Sequence, residues 1–176
     1  MRTHDTPHDR PARHRPANAA GIRELTHGEC EAMLRRHGFG RLAYALHDRV
    51  WIEPISYAYD DGWLVGRTSA GSKLATLAHN PWVAMEIDDV RDTFDWRSVV
   101  AYGTFYPLHQ RGTPTERRSW EHAVSLVRAV APDALGPNDP APFRDVLFHI
   151  HVDTMTGRTA TPAPAGRRAP PALGHG

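Results

Sequence analysis

Along most of the middle of this chain apolar residues recur with a period of two, and a helical period appears in only three short places. The first opens at Thr26-His27-Gly28-Glu29, the spacing of a capping box in which a hydroxyl and a carboxylate each take one free backbone N–H. That helix carries Ala32, Met33 and Leu34 and is expected to stop at His37-Gly38, with Gly38 in the left-handed closing conformation. Alternation then takes over. Residues 41–46 read as a strand, His47-Asp48 as a turn and 49–53 as the returning strand, which Pro54 interrupts and so places at an edge or a bulge. The run resumes over 55–59, and Asp60-Asp61-Gly62 is a tight reversal, because Asp-Gly accepts positive φ angles. Residues 63–67 lead back to a short helix at 74–78, closed by Asn80-Pro81. In 82–88 Val83, Met85 and Ile87 share one face, and after a loop at 92–95 a long strand covers 96–106, with Gly103 marking a bend or bulge. Thr113-Pro114-Thr115-Glu116 is a second capping box, and Trp120, Ala123, Val124 and Val127 form one apolar stripe behind it. A Pro-rich loop leads to the last expected strand, 146–152.

Short antiparallel strands joined by tight turns, with single helices between groups, do not build a βαβ fold. Closing them into a small barrel removes the edges they would otherwise expose, so a β-barrel with peripheral helices is expected. Residues 1–20 and 160–176 are rich in Pro, Arg, Ala or His and read as tails around one domain spanning 21–159. His4, His8 and His14 are irregularly spaced and read as part of a solvated tail, not a metal site.

Composition narrows the function. With 176 residues and a formal net charge of +1 there is no electrostatic case for nucleic acid or an anionic membrane as a partner. A single Cys30 excludes an internal disulfide framework and suits the reducing cytoplasm. No apolar stretch reaches membrane-spanning length, and no apolar segment follows the basic start, so a cytoplasmic protein is expected. Neither G-x-S-x-G nor H-E-x-x-H occurs.

The candidate chemistry gathers at Gly66-Arg67-Thr68-Ser69-Ala70-Gly71-Ser72-Lys73. A strand that ends in hydroxyls and small residues at a helix start aims several backbone N–H groups at one spot, where the helix dipole is positive. Arg67 and Lys73 add full charges, and Lys73 is the only lysine in the chain. The reading is a phosphate cradle. It is not a nucleotide P-loop, because Ser72-Lys73 stands in the reverse of the Lys-Ser order. Other polar groups read as structural. Cys30 has no activating neighbour in sequence, Glu86, Asp88 and Asp92 look like solvated turn residues, and His149 with His151 share a strand face without a third ligand. Trp96, Tyr57 and Tyr102 have rings that could stack on a planar group, although aromatic residues on strands more often fill a core.

Six segments, in order, carry a family resemblance: Gly40-Arg41-Leu42-Ala43, Pro54-Ile55-Ser56-Tyr57-Ala58-Tyr59-Asp60-Asp61-Gly62, Arg67-Thr68-Ser69-Ala70-Gly71-Ser72-Lys73-Leu74, Asn80-Pro81-Trp82-Val83-Ala84, Trp96-Arg97-Ser98-Val99 and Thr156-Gly157-Arg158. Together the chain resembles the pyridoxamine 5'-phosphate oxidase-like flavin-binding split-barrel family, nearest its nitroimidazole-resistance-type branch. The resemblance implies a mainly β fold, a split β-barrel of about six antiparallel strands with short flanking helices. It implies a homodimer with FMN at the interface, the 5'-phosphate held by Arg67, Thr68, Ser72 and Lys73. The backbone of Pro54, Ile55, Ser56 and Tyr57 would line the flavin edge, with Trp96 and Ser98 near the ring. The implied activity is a flavin-dependent oxidoreductase passing electrons to a small planar acceptor, with a nicotinamide as a candidate donor and no metal. No catalytic side chain is assigned, because the cofactor carries the electrons. Two departures stand out. His149-Ile150-His151 replaces the Arg-Ile usual in relatives, and the residues that would bind vitamin B6 are not found. Since some split-barrel proteins use F420 and others bind haem, the alternative is an F420- or haem-binding protein acting in sequestration or sensing without turnover.

Overall fold

The computed structural model describes residues 21–162, so the expected tail at 1–20 and all but the first three residues of the one at 160–176 lie outside the described residues. The elements in order are β1 (Gly21–Glu24), α1 (His27–Arg36), β2 (Phe39–Leu46), β3 (Arg49–Asp60), β4 (Trp63–Thr68), α2 (Ser72–His79), β5 (Trp82–Asp92), β6 (Asp95–Pro107), α3 (Pro114–Val130) and β7 (Val146–Thr161). Neighbouring strands run in the order β7-β4-β3-β2-β5-β6, and β6 pairs back onto β7, so six antiparallel strands close on themselves. The short β1 joins the far end of β7, with Gly21 opposite Thr161.

Local chemistry explains most of the boundaries. Both Thr-x-x-Glu capping boxes form, at Thr26 with Glu29 and at Thr113 with Glu116. In the β3–β4 hairpin Asp61 and Gly62 take φ angles of 39° and 85°, as a tight reversal between twisted strands requires. Pro54 lies where β3 pairs β2 in unbroken register and β4 covers only Tyr57–Asp60, so it sits at an open edge and makes no bulge. Gly103 does mark a register shift between β6 and β7; a Cβ there would stand 2.0 Å from the His151 carbonyl oxygen, closer than any side chain allows.

Three expectations are corrected. Gly38 does not take a left-handed conformation: His37 closes α1 with a φ of −97°, and a Cβ at Gly38 would approach Val130 Cγ1 to 3.3 Å, so glycine there makes room. The last strand does not end at Val152 but runs to Thr161, burying Ala160 to 1% exposure. Finally β1, unseen in the sequence, exists because that extension gives it a partner.

Leu42, Tyr44, Ile55, Tyr57, Met85 and Phe148 are among the side chains that fill the barrel, with Cys30, Met33 and Leu34 of α1 in the same cluster. On the outer side of β4 and β7, α3 buries Ala123 and Val127 against Val65 and Leu147. Inward and outward positions of β4 therefore meet different neighbours, which decides where the candidate chemistry goes.

Candidate functional site

Consecutive strand residues point to opposite faces, and this splits the expected cradle. Thr68 is turned inward and is 3% exposed. Lys73, in the first turn of α2, donates to Thr68 Oγ1 at 3.1 Å and pairs with Glu53 Oε2 at 2.5 Å. Glu53 also accepts from the Tyr44 hydroxyl, which completes a polar chain of Tyr44, Glu53, Lys73 and Thr68 at one end of the barrel. Burial pushes the Glu53 carboxyl up, but the bonds from Lys73 and Tyr44 and the charges of Lys73 and Arg144 outweigh it and leave it below the ordinary range. Burial and the adjacent carboxylate push the Tyr44 hydroxyl up.

Arg67 lies on the other face. Its Nη2 donates to Asp139 Oδ1 at 2.9 Å, its Nη1 to Asp139 Oδ2, and Nη1 also reaches the Ala141 carbonyl at 3.4 Å. Asp139 further accepts from the backbone N–H groups of Leu135 at 2.8 Å and Ala141 at 2.9 Å. It thus ties the loop between α3 and β7 to the barrel. The Arg67 guanidinium, with those two N–H groups, holds the Asp139 carboxyl well below the carboxylate range in spite of burial. The two cations expected to share one anion each have a carboxylate of their own. Sequence reasoning missed both carboxylates. Asp139 lies 72 positions from Arg67 and leaves no local signal. Glu53 was findable, because the alternation of β3 puts it inward beside buried Ile55 and Tyr57.

The start of α2 is nevertheless open. α1 and α3 are closed by capping boxes, whereas Gly71, at the N-cap of α2, makes no side-chain cap bond. The first backbone N–H groups of α2 therefore have no side-chain cap, and the Ser72 hydroxyl stands beside them, an arrangement that favours an anion.

Trp96 and Ser98 line a separate cavity of about 530 Å³ with Leu25, Val100, Met155 and Arg158. Trp96 Nε1 donates to the Thr93 carbonyl at 3.1 Å, and Ser98 Oγ to Glu86 Oε1 at 3.2 Å. In the register of β7, Trp96 stands opposite Ala160 and Arg67 opposite Leu147. Around the other side of the barrel they are nearer: Pro54 pairs Arg41, Arg41 pairs Glu86 and Glu86 pairs Val100, three ladder steps of about 4.8 Å each. Within one chain, however, the cavity of Trp96 and the start of α2 share no lining residue. Across the outer face run Ile52, Ala43, Ala84 and Tyr102 in one register row, with Ile52 66% and neighbouring Trp82 63% exposed. Beside this row Arg41 bonds Glu86 at 2.9 Å and Asp88 at 2.6 Å, so these two acids are paired strand residues and not solvated turn residues.

A family model for pyridoxamine 5'-phosphate oxidase matches residues 26–159. The chain belongs to that family. An uncharacterised protein of Rhizobium meliloti (strain 1021) is 28% identical over 148 residues, which cover 79% of this chain and 95% of that protein. A FAD-binding protein of Mesorhizobium loti is similar with a TM-score of 0.65 and 26% identity, over 81% of this chain and 99% of that one. A candidate 5-nitroimidazole antibiotic resistance protein of Bacteroides thetaiotaomicron VPI-5482 shares the fold, with a TM-score of 0.58 and 16% identity over 85% of this chain and 96% of that one. Both the family and the split-barrel fold read from the sequence are thereby borne out.

The remaining residues singled out by resemblance to the pyridoxamine 5'-phosphate oxidase family sit as follows. Pro54 and Ser56 are exposed on the outer face of β3, while Ile55 and Tyr57 are buried. The Tyr57 N–H donates to the Gly38 carbonyl at 2.9 Å and its hydroxyl to the Leu34 carbonyl at 3.1 Å, so its ring belongs to the core. His149 is half-buried with its ring 4.5 Å from that of Trp63, and His151 Nδ1 lies 2.8 Å from Asp153 Oδ1. Burial, and then the neighbouring His151, push the His149 imidazole down. Cys30 is buried and its thiol is pushed up by that burial, which suits a structural residue. Against a flavin phosphate, the residues present fit in two halves: an open helix start beside Lys73, and a cavity walled by Trp96.

Proposed function

We propose that this chain binds a flavin nucleotide, FMN or the FMN half of FAD, and works as a flavin-dependent oxidoreductase. The observation that carries the reading is the uncapped start of α2 beside Lys73, where the other two described helices are closed by capping boxes. A 5'-phosphate there meets three backbone donors, a hydroxyl and an ammonium. The cavity of Trp96 and Ser98 offers an apolar wall for a flat ring. Because the cavity of Trp96 and the start of α2 share no lining residue within one chain, a site completed by two chains is favoured, and the uncovered row through Ile52 and Tyr102 supports a homodimer.

When bound, the flavin supplies two-electron transfer. The chain's own residues bind it, orient it and exclude water. Tyr44 is committed to Glu53 and Ser98 to Glu86, so neither is placed as a free proton donor. The substrate class that fits is a small planar acceptor, with a nicotinamide as a candidate electron donor. The lone buried thiol suits a reducing, cytoplasmic location. Haem gains no support from the two histidines, since His149 packs tilted against Trp63 and His151 is bonded to Asp153.

The test is the absorption spectrum of the purified protein, followed by titration with FMN, riboflavin, F420 and haemin. FMN binding tighter than riboflavin supports the reading. Preference for F420, a Soret band, or indifference to the phosphate overturns it.

A further inference from the structure

The end of the barrel that carries Lys73 adjoins a cavity that the phosphate does not use. It holds about 410 Å³ between α2, the end of β6, α3 and the start of β7, inside the ~300–1,000 Å³ range of small-molecule pockets. Leu74, Leu77, Phe105 and Trp120 give it apolar walls. His109, Gln110 and Asp145 stand at the same cavity, and none of the three side chains is hydrogen-bonded or ion-paired among the described residues.

Position links this cavity to the phosphate. Its wall residue Val146 is the register partner of Thr68, whose hydroxyl accepts from Lys73. Paired residues of an antiparallel ladder point to the same face, and adjacent strands lie about 4.8 Å apart. Leu74 follows Lys73 directly, and Asp145 follows Arg144, whose charge is felt at Glu53. A ligand with its phosphate at the start of α2 therefore has an apolar chamber next to that phosphate, distinct from the cavity of Trp96.

We infer that this chamber takes the adenine half of a flavin dinucleotide, with Trp120 as its stacking face. The inference rests on the proposed flavin site and specifies which flavin it holds. Adenine has apolar faces and a polar edge that both donates and accepts, and Gln110 can answer both roles. The Asp145 carboxylate accepts from an exocyclic amino group in a charge-assisted bond, which a neutral amide in its place makes far more weakly.

The experiment titrates the full chain with FMN, FAD and ADP, following flavin fluorescence and heat of binding, for wild type, Trp120→Ala and Asp145→Asn. FAD is expected to bind at least tenfold more tightly than FMN. ADP should displace FAD and leave riboflavin in place. Both variants should bring FAD to the FMN level while FMN itself is unchanged; Asp145→Asn, at an exposed position, carries the test if Trp120→Ala fails to fold. Equal affinity of wild type for FMN and FAD, or a variant that weakens both alike, overturns the inference while the flavin site stands. If neither flavin binds, the flavin reading falls, and ADP alone decides whether the chamber holds adenine: binding lost in Asp145→Asn upholds that part, and no binding overturns it.

Discussion

Replacing Lys73 by alanine separates the phosphate from the rest of the flavin. The ammonium is held at 2.5 Å by Glu53 and 3.1 Å by Thr68, with its side chain 14% exposed, so it acts from a largely dehydrated position. A charge-assisted hydrogen bond there is worth about 1.5–3 kcal/mol, which corresponds to a loss of roughly ten- to 150-fold in FMN affinity. Riboflavin lacks the phosphate and should change less than about threefold. The fold should survive, because the Glu53 carboxylate left behind is partly exposed and still accepts from Tyr44. Glu53→Gln should act in the opposite sense, since removing the competing carboxylate frees the ammonium; FMN should tighten severalfold and riboflavin should not. Fluorescence quenching by each flavin, for wild type, both single variants and the double variant, gives a cycle in which general damage to the fold cancels. Equal losses for FMN and riboflavin in Lys73→Ala would show that no phosphate sits at the start of α2.

Four further outcomes follow from the same geometry. Arg67→Ala should lower the melting temperature by roughly 5–10 °C in calorimetry and weaken both flavins alike, because it leaves the buried Asp139 without its cation; Arg67→Lys should not rescue it, since an ammonium cannot form the two-pronged bond. Gly103→Ala should cost about 3 kcal/mol in urea unfolding, as its methyl group meets the His151 carbonyl oxygen. Ile52→Asp, on the uncovered row, should leave the melting temperature within a few degrees and convert a dimer to a monomer in light scattering; an unchanged dimer would place the interface elsewhere. Asp139, Glu53, Glu116 and Glu29, the last pushed down to about 2 chiefly by Arg23, all titrate below their unfolded values. Their contribution is present above about pH 4.5 and is lost as pH falls through the folded values, so stability should drop from pH 5 to pH 2, and Asp139→Asn should flatten that drop.

Features written in neighbouring residues were legible from sequence. Thr26 with Glu29, Thr113 with Glu116, the Asp61-Gly62 reversal and the inward set Val83, Met85 and Ile87 each depend on spacings of a few positions. What failed depends on distant partners or on a misread local cue. Asp153-Thr154 and Gly157 look like the end of a strand, yet Gly157 is needed because a Cβ would come within 2.7 Å of Cys30 Sγ. The candidate site was half legible. Its residues are where the ordered motifs put them in the chain, but the alternation that separates Arg67 from Thr68 was overlooked, and Asp139 arrives from a loop with no pattern of its own.

The reach of β7 also governs how the molecule is made. It is the partner of β1, β4 and β6 at once, and Thr161 Oγ1 touches the carbonyl of a glycine 140 positions earlier. During synthesis every other described element leaves the ribosome before the strand that joins them. Until the residues from Val146 onward emerge, β4 and β6 hold bare edges that can pair with another unfinished chain. Contacts of such long sequence separation also slow the final closure. The interval in which these edges stand bare therefore lasts until the final described strand is made, and a chain that stops short of Val146 is left with an open sheet where the barrel would close.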